Sequence, residues 1–370
     1  MINKIKNYLK KFYRIIIYNI FFYKYGEIKG VIYSDQDNRV KVQSLELGNK
    51  HNYKIYKITN GRLYTDRVHD TAIILDNSIV SGPSFQLRDN KNESAERNMI
   101  FEKGTTRIIK KKKGKILSLL TGGGGNANYW HWLYDVLPRL KIVKKIIDIE
   151  KIDYFLLPSL DEKFQNETLD ELKIPKSKRL SSKHYRHLTS DEIIVTDHPY
   201  NLLNDPNQDA NNIPIWISDW LKKSFINQND TNSKRFPKKI YIDRKDAKSN
   251  HSRLRNIVNE DEVKNLLKAN DFEILVMSNF SFADQVKLFN NANFVIGLHG
   301  GGFANLVFCE QKTRVLELKA FGTGKQIENF AESNNLNYDL LVSESSSAYS
   351  RNQLGDITVD MESLDKKIQD

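Results

Sequence analysis

The sequence has a single cysteine, Cys309, among its 370 residues. An internal disulfide and a zinc site built on several cysteines are therefore both excluded. The chain also lacks an apolar run of the roughly 20 residues that a bilayer crossing requires. The apolar stretch from Ile15 to Phe22 is shorter, and no small-residue cleavage site of a signal peptide follows it. This composition fits a reducing compartment, and we expect a cytoplasmic protein.

Acidic side chains are outnumbered by basic ones. The sequence contains 57 Lys and Arg against 46 Asp and Glu, which gives a formal net charge of +11 at pH 7. Such a charge favours an anionic partner, which is nucleic acid, a membrane surface or a phosphorylated small molecule. Because the lysines are scattered and form no recognised nucleic-acid reader motif, we predict no nucleic-acid partner.

At the N-terminus, apolar residues recur at helical spacing with basic residues between them. The pattern predicts a basic amphipathic helix within residues 1–28. Such a helix covers either an anionic membrane face, through residues 1–24, or the protein's own core, and periodicity alone favours neither. The apolar positions are Ile2, Ile5, Leu9, Phe12, Ile16, Ile20 and Tyr23, and the basic ones are Lys4, Lys6, Lys10, Lys11 and Arg14.

Beyond this helix the apolar pattern changes. From about Lys29 to Lys113, short alternating stretches separated by glycine-containing turns predict a β-rich region. Apolar runs separated by longer helical segments follow, and these are typical of buried parallel strands in βα units. The runs begin at Ile116, Tyr154 and Ile193, and then at Lys239, Phe272, Phe294 and Val315.

A polar stretch from Asn227 to Lys234 separates the two series of runs and predicts a domain boundary. The expected fold is therefore α/β, with domains at residues 29–230 and 231–330 and with the β-rich region inside the first. Residues 331–370 are polar and partly serine-rich, and we describe them as a C-terminal tail whose structure the sequence determines poorly.

Three glycines, Gly300, Gly301 and Gly302, follow His299 at the end of a predicted strand and precede a predicted helix. Glycines at such a turn let backbone N–H groups approach a phosphate, and a helix N-terminus adds partial positive charge. We expect a diphosphate here, with His299 donating a hydrogen bond to phosphate or sugar. The loop is not a P-loop or a dinucleotide fingerprint, because the residues that follow and the glycine spacing differ. The alternative is an ordinary glycine turn with a locally bonded histidine.

A second glycine cluster, Gly122 to Gly125, precedes a possible helix from Asn128. Helical spacing puts Asn128, His131, Asp135 and Arg139 on one polar face. Histidine and aspartate side by side are suited to general-base catalysis on an acceptor hydroxyl, and either His131 or Asp135 is the candidate base. The alternative is an ordinary capped helix, and Pro138 predicts that the helix kinks or ends there.

Charged residues at two further strand ends complete the set of candidates. Arg244 follows the run that begins at Lys239, at the strand end where open α/β sheets bind ligands, and a guanidinium suits a diphosphate. Arg255 either assists Arg244 or pairs with Glu260, and each arginine also fits a solvated surface. Glu317, in a later apolar strand, is a candidate for binding ribose hydroxyls.

Taken in order, these residues resemble glycosyltransferase family 61 over about Leu117 to Leu318. The resemblance implies a GT-B fold, in which two Rossmann-like domains face a cleft, and an inverting mechanism. It also implies a donor such as UDP-N-acetylglucosamine or a UDP-pentose, so that a hexosyl or pentosyl group is transferred. The matching residues are Asn128, His131, Trp132, Arg244, Arg255, Asn259, Glu260, Gln285, Val286, Gly297, His299, Gly300, Gly301, Gly302, Asn305, Phe308 and the run Val315 to Leu318.

The resemblance assigns roles to the two predicted domains. Residues 29–230 become the acceptor-side domain and residues 231–330 the nucleotide-sugar-binding domain. The partners are then a nucleotide-sugar donor and a glycan or lipid-linked glycan acceptor in capsular, lipopolysaccharide or other surface-glycan assembly. The N-terminal helix leaves open a peripheral position at the inner face of the cell membrane. His131 or Asp135 carries catalysis, and Asn128 and Trp132 line the cleft. The donor ligands are Arg244, Arg255, His299, Gly300, Gly301, Gly302, Asn305 and Glu317.

Two alternatives and one cofactor question remain at this stage. The sequence Asp35-Gln36-Asp37 matches the metal-binding Asp-x-Asp of GT-A enzymes, but it lies outside the nucleotide-binding pattern, so we expect no metal and no other cofactor. The alternatives are a sugar-nucleotide epimerase built on the same fold logic, and a membrane- or nucleic-acid-binding protein without catalysis.

Overall fold

The computed structural model describes most of the chain and divides it into two compact units, residues 1–209 and 210–370. The predicted boundary stretch Asn227–Lys234 and the glycine cluster Gly122–Gly125 lie outside the described residues. Both units combine helices with β-sheet, which confirms the α/β class. The described ranges are 2–48, 51–65, 71–84, 86–88, 91–120, 127–200, 205–226, 235–247, 255–345 and 355–370.

The first unit is rich in strands, as the β-rich pattern before Lys113 predicts. Its strands are β1 (Val31–Ile32), β2 (Val40–Leu47), β3 (His51–Thr59), β4 (Arg62–Thr65), β5 (Thr71–Leu75), β6 (Ser78–Val80), β7 (Gln86–Arg88), β8 (Lys91–Glu93), β9 (Lys110–Lys111), β10 (Lys115–Ser118), β11 (Tyr154–Leu157), β12 (Arg179–Ser181), β13 (His187–Thr189) and β14 (Glu192–Thr196). In the described residues they form one sheet in the order β1-β6-β5-β4-β13-β9, a second in the order β12-β11-β10-β14-β3-β2, and the hairpin β7-β8.

The second of these sheets contains the βα units that the apolar runs predict. Strands β12, β11, β10 and β14 are parallel neighbours, and β3 and β2 continue the sheet antiparallel. The buried side chains of Ile116, Leu156 and Ile193 belong to one core cluster. From β10 the chain runs outward through β11 to β12 and then returns to the other side of β10 as β14. This reversal of strand order creates a switch point at the carboxyl ends of β10 and β14, where open α/β sheets bind ligands.

The second unit is built on one five-stranded parallel sheet within its described residues. Its strands are β15 (Lys239–Asp243), β16 (Glu273–Val276), β17 (Phe294–Leu298), β18 (Arg314–Ala320) and β19 (Asn337–Ser343). Their order is β16-β15-β17-β18-β19, so the chain passes from β15 to β16 and then to the opposite side of β15. A second switch point therefore lies at the carboxyl ends of β15 and β17.

Both units also contain helices. The helices of the first unit are α1 (Ile2–Tyr25), α2 (Ile100–Lys103), α3 (Tyr129–His131), α4 (Pro138–Lys144) and α5 (Lys163–Glu171), and α6 (Pro206–Asn211) contains the division between the units. Those of the second unit are α7 (Ile215–Phe225), α8 (Glu260–Ala269), α9 (Phe282–Asn291), α10 (Gln326–Ser333) and α11 (Met361–Gln369). Among the described helices, none is both long enough and apolar enough to cross a membrane.

The last forty residues contribute to the sheet and the core of the second unit. Strand β19 pairs along its whole length with β18. Leu341 of β19 and Leu364 and Ile368 of α11 join the core cluster beneath the sheet. Strand β19 lies at the sheet edge, and its residues alternate in burial although Leu340, Leu341 and Val342 are consecutive apolar residues in the sequence.

Candidate active-site residues in each unit

The helical segment after β10 contains an irregular turn next to Pro138. Residues Trp132–Val136 form a π-helical turn between α3 and α4, and the Leu137 N–H bonds to the carbonyl of Trp132, five residues earlier, at 3.1 Å. Proline has no N–H, and its ring collides with the carbonyl four residues before it. The wider turn accommodates Pro138, so the chain continues as α4 instead of ending.

The structure brings His131 and Asp135 together on this segment. His131 Nδ1 lies 2.8 Å from Asp135 Oδ2. The His131 side chain is 32% exposed, whereas that of Asp135 is 4% exposed. Since the carboxylate is buried beneath the imidazole, a substrate can reach His131 but not Asp135. Asn128 begins the segment, with its side-chain oxygen accepting the His131 N–H at 3.4 Å.

A second histidine, which the sequence analysis missed, joins this cluster. His198 lies two residues beyond β14, and its Nε2 is 3.4 Å from the same Asp135 oxygen. The Tyr200 N–H donates to His198 Nδ1 at 3.3 Å, so Nδ1 is an acceptor and the ring hydrogen is assigned to Nε2. Neutral His198 thus donates to Asp135, and it lies at the switch point between β10 and β14.

Burial and neighbouring charges shift the pKa values of His131, Asp135 and His198 in opposite directions. Burial favours the neutral form of His131, but the Asp135 carboxylate outweighs it and raises the pKa of His131 above its ordinary value. Burial likewise opposes ionisation of Asp135, yet the two histidines hold the pKa of this carboxyl far below its usual range. Burial lowers the pKa of His198. The cluster therefore contains an ionised aspartate, a neutral buried histidine and a more basic, accessible histidine.

The remaining residues of this helix face are structural. Arg139 is buried, with its Nε donating to the Asp135 carbonyl at 3.0 Å and its Nη1 to the Thr196 carbonyl at 3.0 Å, which ties the helix to the end of β14. Trp132, which the resemblance placed in the cleft, is fully buried and donates from its indole N–H to Thr168 Oγ1 at 2.9 Å. Both residues fix the helix on which His131 stands.

In the second unit, the switch point brings Arg244 to the glycine loop. Arg244 follows β15 directly, and its Nη1 lies 3.5 Å from the His299 carbonyl at the end of β17. A Cβ built on Gly300 would lie 3.7 Å from the Arg244 guanidinium carbon. The guanidinium therefore lies directly beside the loop that the sequence predicts to bind phosphate.

The loop packs tightly against β15. A Cβ on Gly302 would lie 2.9 Å from Ile242 Cγ2, closer than side chains approach one another, so this position requires glycine. Gly301–Phe308, which include this glycine, form a 3₁₀ helix at the place of the predicted helix. Asn305 within it is buried and donates to Gln285 Oε1 of α9 at 2.9 Å. Asn305 thus holds the 3₁₀ helix against α9.

A second histidine–carboxylate pair lies beside the loop. His299 Nδ1 bonds to Glu317 Oε1, and the Tyr338 hydroxyl donates to the other carboxylate oxygen. Lys319 Nζ lies 3.5 Å from that oxygen. Burial opposes ionisation of Glu317, but these partners lower its pKa below the ordinary value. The described contacts of Glu317 are thus with protein groups that orient His299, and its predicted contact with ribose stays a prediction.

Two guanidiniums contribute positive charge here. Burial lowers the pKa of Arg255 to about 10, and the charge of Arg244 adds to that effect. Burial also lowers the pKa of Arg244. Glu260 accepts from the Tyr241 hydroxyl at 3.2 Å and lies 3.3 Å from Lys264 Nζ, and its pair with Arg255 stays a prediction. Two like charges near one loop favour an anionic ligand.

The Asp-x-Asp sequence lies in the first unit, where Asp37 binds Arg39. The Arg39 Nη2 donates to Asp37 Oδ2 at 2.7 Å, and this contact lowers the pKa of the carboxyl. Within the described ranges, no group of three or more His, Cys, Asp or Glu side chains is arranged to hold a metal ion.

Comparison with known families decides between the classes that the sequence left open. The family model described as Glycosyltransferase 61 matches residues 129–316, about half of the chain. The chain belongs to glycosyltransferase family 61. The predicted resemblance is therefore confirmed, and family membership implies a nucleotide-sugar donor and a glycan acceptor. No curated protein matches the sequence.

The matched range of this glycosyltransferase includes the histidines of both clusters but not Glu317, Lys319 or Tyr338. It begins one residue after Asn128 and ends one residue before Glu317, so it covers His131, His198 and His299. Sequence analysis missed His198, Lys319 and Tyr338. One structural signal would have found two of them. His198 lies just beyond β14, a strand of the first switch point, and Tyr338 lies on β19, two strands away from β17 of the second. That signal requires the strand order, which a single sequence does not supply.

Proposed function

We propose that this glycosyltransferase is an inverting, metal-independent enzyme of the GT-B type. It transfers a hexosyl or pentosyl group from a UDP-sugar to a glycan acceptor in the assembly of a capsular, lipopolysaccharide or other surface glycan, in the cytoplasm. The observation that carries the proposal is the convergence of Arg244, His299 and a glycine loop at the β15/β17 switch point.

The second unit is the proposed donor site. Arg244 and Arg255 supply positive charge, and the backbone N–H groups of Gly300 to Gly302 allow a diphosphate to approach closely. The His299 side chain is 7% exposed and bonds to Glu317 through Nδ1, so Nε2 is the ring nitrogen that we assign to the ligand. We assign to this atom a hydrogen bond with the departing diphosphate. Asn305 is assigned a supporting role, because its side chain bonds to Gln285.

The first unit supplies the proposed base. His131 Nε2 accepts the proton of the acceptor hydroxyl as that oxygen forms its bond to the anomeric carbon. The bond between the anomeric carbon and the phosphate oxygen breaks on the opposite face, and the electron pair leaves with UDP. Asp135 keeps the imidazole in the tautomer with hydrogen on Nδ1 and stabilises the imidazolium that forms. A single displacement of this kind inverts the anomeric configuration.

Charge stabilisation without a metal follows from the same residues. The leaving UDP gains negative charge in the transition state, and preorganised cations and N–H donors at that position lower the barrier. Arg244, Arg255 and His299 provide those groups. This division of tasks favours transfer over epimerisation, because an epimerase has no need of a base for an acceptor hydroxyl.

The proposal is tested by nucleotide binding in EDTA. We expect UDP and UDP-sugars to raise the Tm of the wild-type protein, and we expect GDP and CMP to have little effect. Arg244→Ala and His299→Ala should remove the UDP-dependent shift, whereas the exposed-arginine control Arg97→Ala should keep it. Ligand-induced stabilisation amounts to about 2.7 kcal/mol at a ligand concentration of 100 times Kd.

Three results would count against the proposal. If the Tm of the folded wild-type protein does not change with any nucleotide, the proposed donor site is wrong. A nucleotide-dependent rise in Tm that appears only when a divalent ion is added would contradict the proposal that the enzyme needs no metal. Conversion of the UDP-sugar to an isomer in the absence of an acceptor would indicate that the protein is an epimerase.

A further inference from the structure

Helix α1 presents apolar side chains on two opposite sides. With about 100° per residue, Phe12, Ile16, Ile20 and Tyr23 fall within one arc of about 80°, which we call the outer face. Tyr18, Phe21 and Tyr25 fall on the opposite side, which we call the inner face. A helix with a single docking surface needs only one such stripe.

The inner face packs against the first unit. The Tyr25 hydroxyl accepts the Ile109 N–H at 3.1 Å, and the Tyr25 ring meets His187 edge to face at 5.4 Å between centroids. Tyr18 lies against Gly104, where an added Cβ would come within 2.7 Å of the tyrosine ring. These contacts hold the C-terminal half of α1 on the first unit and explain why the side chains of the inner face are apolar.

The outer face is exposed. Its four side chains have exposed fractions between 42% and 87%. The adjacent Tyr13 and Ile15 are exposed as well. A contiguous patch of large apolar groups is costly in water and marks a binding surface. The same spacing continues in the sequence toward the N-terminus through Ile2, Ile5 and Leu9.

The charge of the helix selects the kind of surface that it binds. Within Ile2–Tyr25 the sequence contains six Lys or Arg residues and neither Asp nor Glu. A second copy of this helix would bring like charges together, whereas an anionic lipid surface would neutralise them. Aromatic side chains such as Phe12, Tyr13 and Tyr23 suit the boundary between head groups and acyl chains.

We propose that the outer face of α1 docks this enzyme on an anionic membrane surface, with the helix lying parallel to the bilayer and the inner face fixed to the first unit. The apolar side chains enter the head-group boundary, and Lys6 and Lys24, which flank the outer face at about 100° per residue, pair with lipid phosphates. The other basic residues of the helix attract the anionic surface at longer range. The enzyme is thereby held where a lipid-linked acceptor would lie. This inference concerns attachment and stands independently of the transfer chemistry.

Vesicle flotation of the full chain tests the inference. We expect binding to vesicles of equal parts phosphatidylglycerol and phosphatidylcholine, little binding to phosphatidylcholine alone, and weakening by salt. Ile16→Glu/Ile20→Glu should reduce the partition coefficient at least about tenfold, since burial of one large aliphatic side chain is worth about that factor. The matched control, Ile215→Glu/Val342→Glu, replaces two exposed apolar residues of the second unit and should bind like the wild type.

Each alternative result overturns the inference. The first is equal binding of the outer-face variant and the wild type, and the second is an absence of wild-type binding to anionic vesicles. The third is a wild-type dimer that Ile16→Glu/Ile20→Glu converts to a monomer, without vesicle binding by either protein, which would assign the face to a second copy. The single variant Tyr23→Glu, at the most exposed position, repeats the test with the least risk to folding. A UDP-dependent rise in Tm that persists in these variants separates attachment from the donor site.

Discussion

Two histidines of this glycosyltransferase are each held through Nδ1 by a buried carboxylate, His131 by Asp135 and His299 by Glu317. The pairs differ in their surroundings. Asp135 is bonded to a second histidine, whereas Glu317 is bonded to a tyrosine and lies near a lysine. The first pair suits proton transfer from a neutral acceptor, and the second, close to Arg244, suits an anionic ligand.

The proposed base predicts a defined pH dependence. His131 must be neutral to accept a proton, and its pKa lies above the ordinary value of about 6.5 because of Asp135. We therefore expect kcat to fall as the pH drops through this raised pKa. Asp135→Asn removes the charge that raises the pKa, so the acid limb should move to lower pH while kcat decreases. His131→Ala should lower kcat by about 100- to 10,000-fold.

Rate measurements against pH check this prediction, with His184→Ala as the control because His184 is an exposed histidine of the same unit. That variant should keep the wild-type profile. An acid limb that stays in place in Asp135→Asn would show that the titrating group is not His131.

At the level of single residues, sequence reasoning found the members of each cluster that lie close together in the chain or directly follow an apolar run, and it missed the partners that other strands supply. His131 and Asp135 share a helix face by spacing alone, and Arg244 and His299 each follow an apolar run that is visible as a strand. His198 and Tyr338 come close to the carboxylates only because β14 and β19 are neighbours of β10 and β18. Strand order depends on long-range packing, and neither composition nor local periodicity determines it.

The glycine loop is the element on which the donor site depends. Gly302→Ala would bring a Cβ within 2.9 Å of Ile242 Cγ2, an atom close to the main chain of β15. Overpacking of this kind costs about 1–3 kcal/mol. We expect a measurable decrease in Tm and a weaker response to UDP, because the loop must move away from β15.

Gly300→Ala is the matched control for this element. Its backbone is extended and its added methyl group would meet Arg244 at ordinary van der Waals distance, so the Tm should stay near that of the wild type. Equal destabilisation by both variants in a thermal melt would show that tight packing at Gly302 is not what fixes the loop.

Elements with strong apolar runs were predicted well, and those without them were not. The runs that begin at Ile116, Tyr154 and Phe294 coincide with β10, β11 and β17. Edge strand β19 was not predicted, because its sequence Asn337–Ser343 has three consecutive apolar residues in place of strict alternation. The helix at Gly301–Phe308 was predicted, but its 3₁₀ type was not. The π turn before Pro138 follows from proline chemistry, but only the structure shows that the helix resumes.

At the level of the whole molecule, the net positive charge bears on the proposed attachment of α1 to a membrane. The net charge of +11 includes six positive charges on α1, which bears the exposed apolar face. Sequence periodicity left open whether α1 covers a membrane or the protein's own core. The structure shows contacts between the inner face and the first unit and leaves the outer face exposed, so the two alternatives do not exclude each other, and the outer face is the one that we propose to dock on a membrane.

The proposed assignment of donor binding to the second unit and of the base to the first predicts that single-residue variants affect binding and transfer differently. If the second unit binds the donor and the first supplies the base, Arg244→Ala should lose both the UDP-dependent rise in Tm and transfer. His131→Ala should keep that rise and lose transfer, because its side chain is required only when the acceptor hydroxyl is deprotonated. Binding measured by calorimetry and transfer measured by product formation, both on the full chain, give the two readouts. Loss of UDP binding in His131→Ala with an unchanged Tm of the free protein would place both clusters in donor recognition, whereas unimpaired transfer would remove His131 from catalysis.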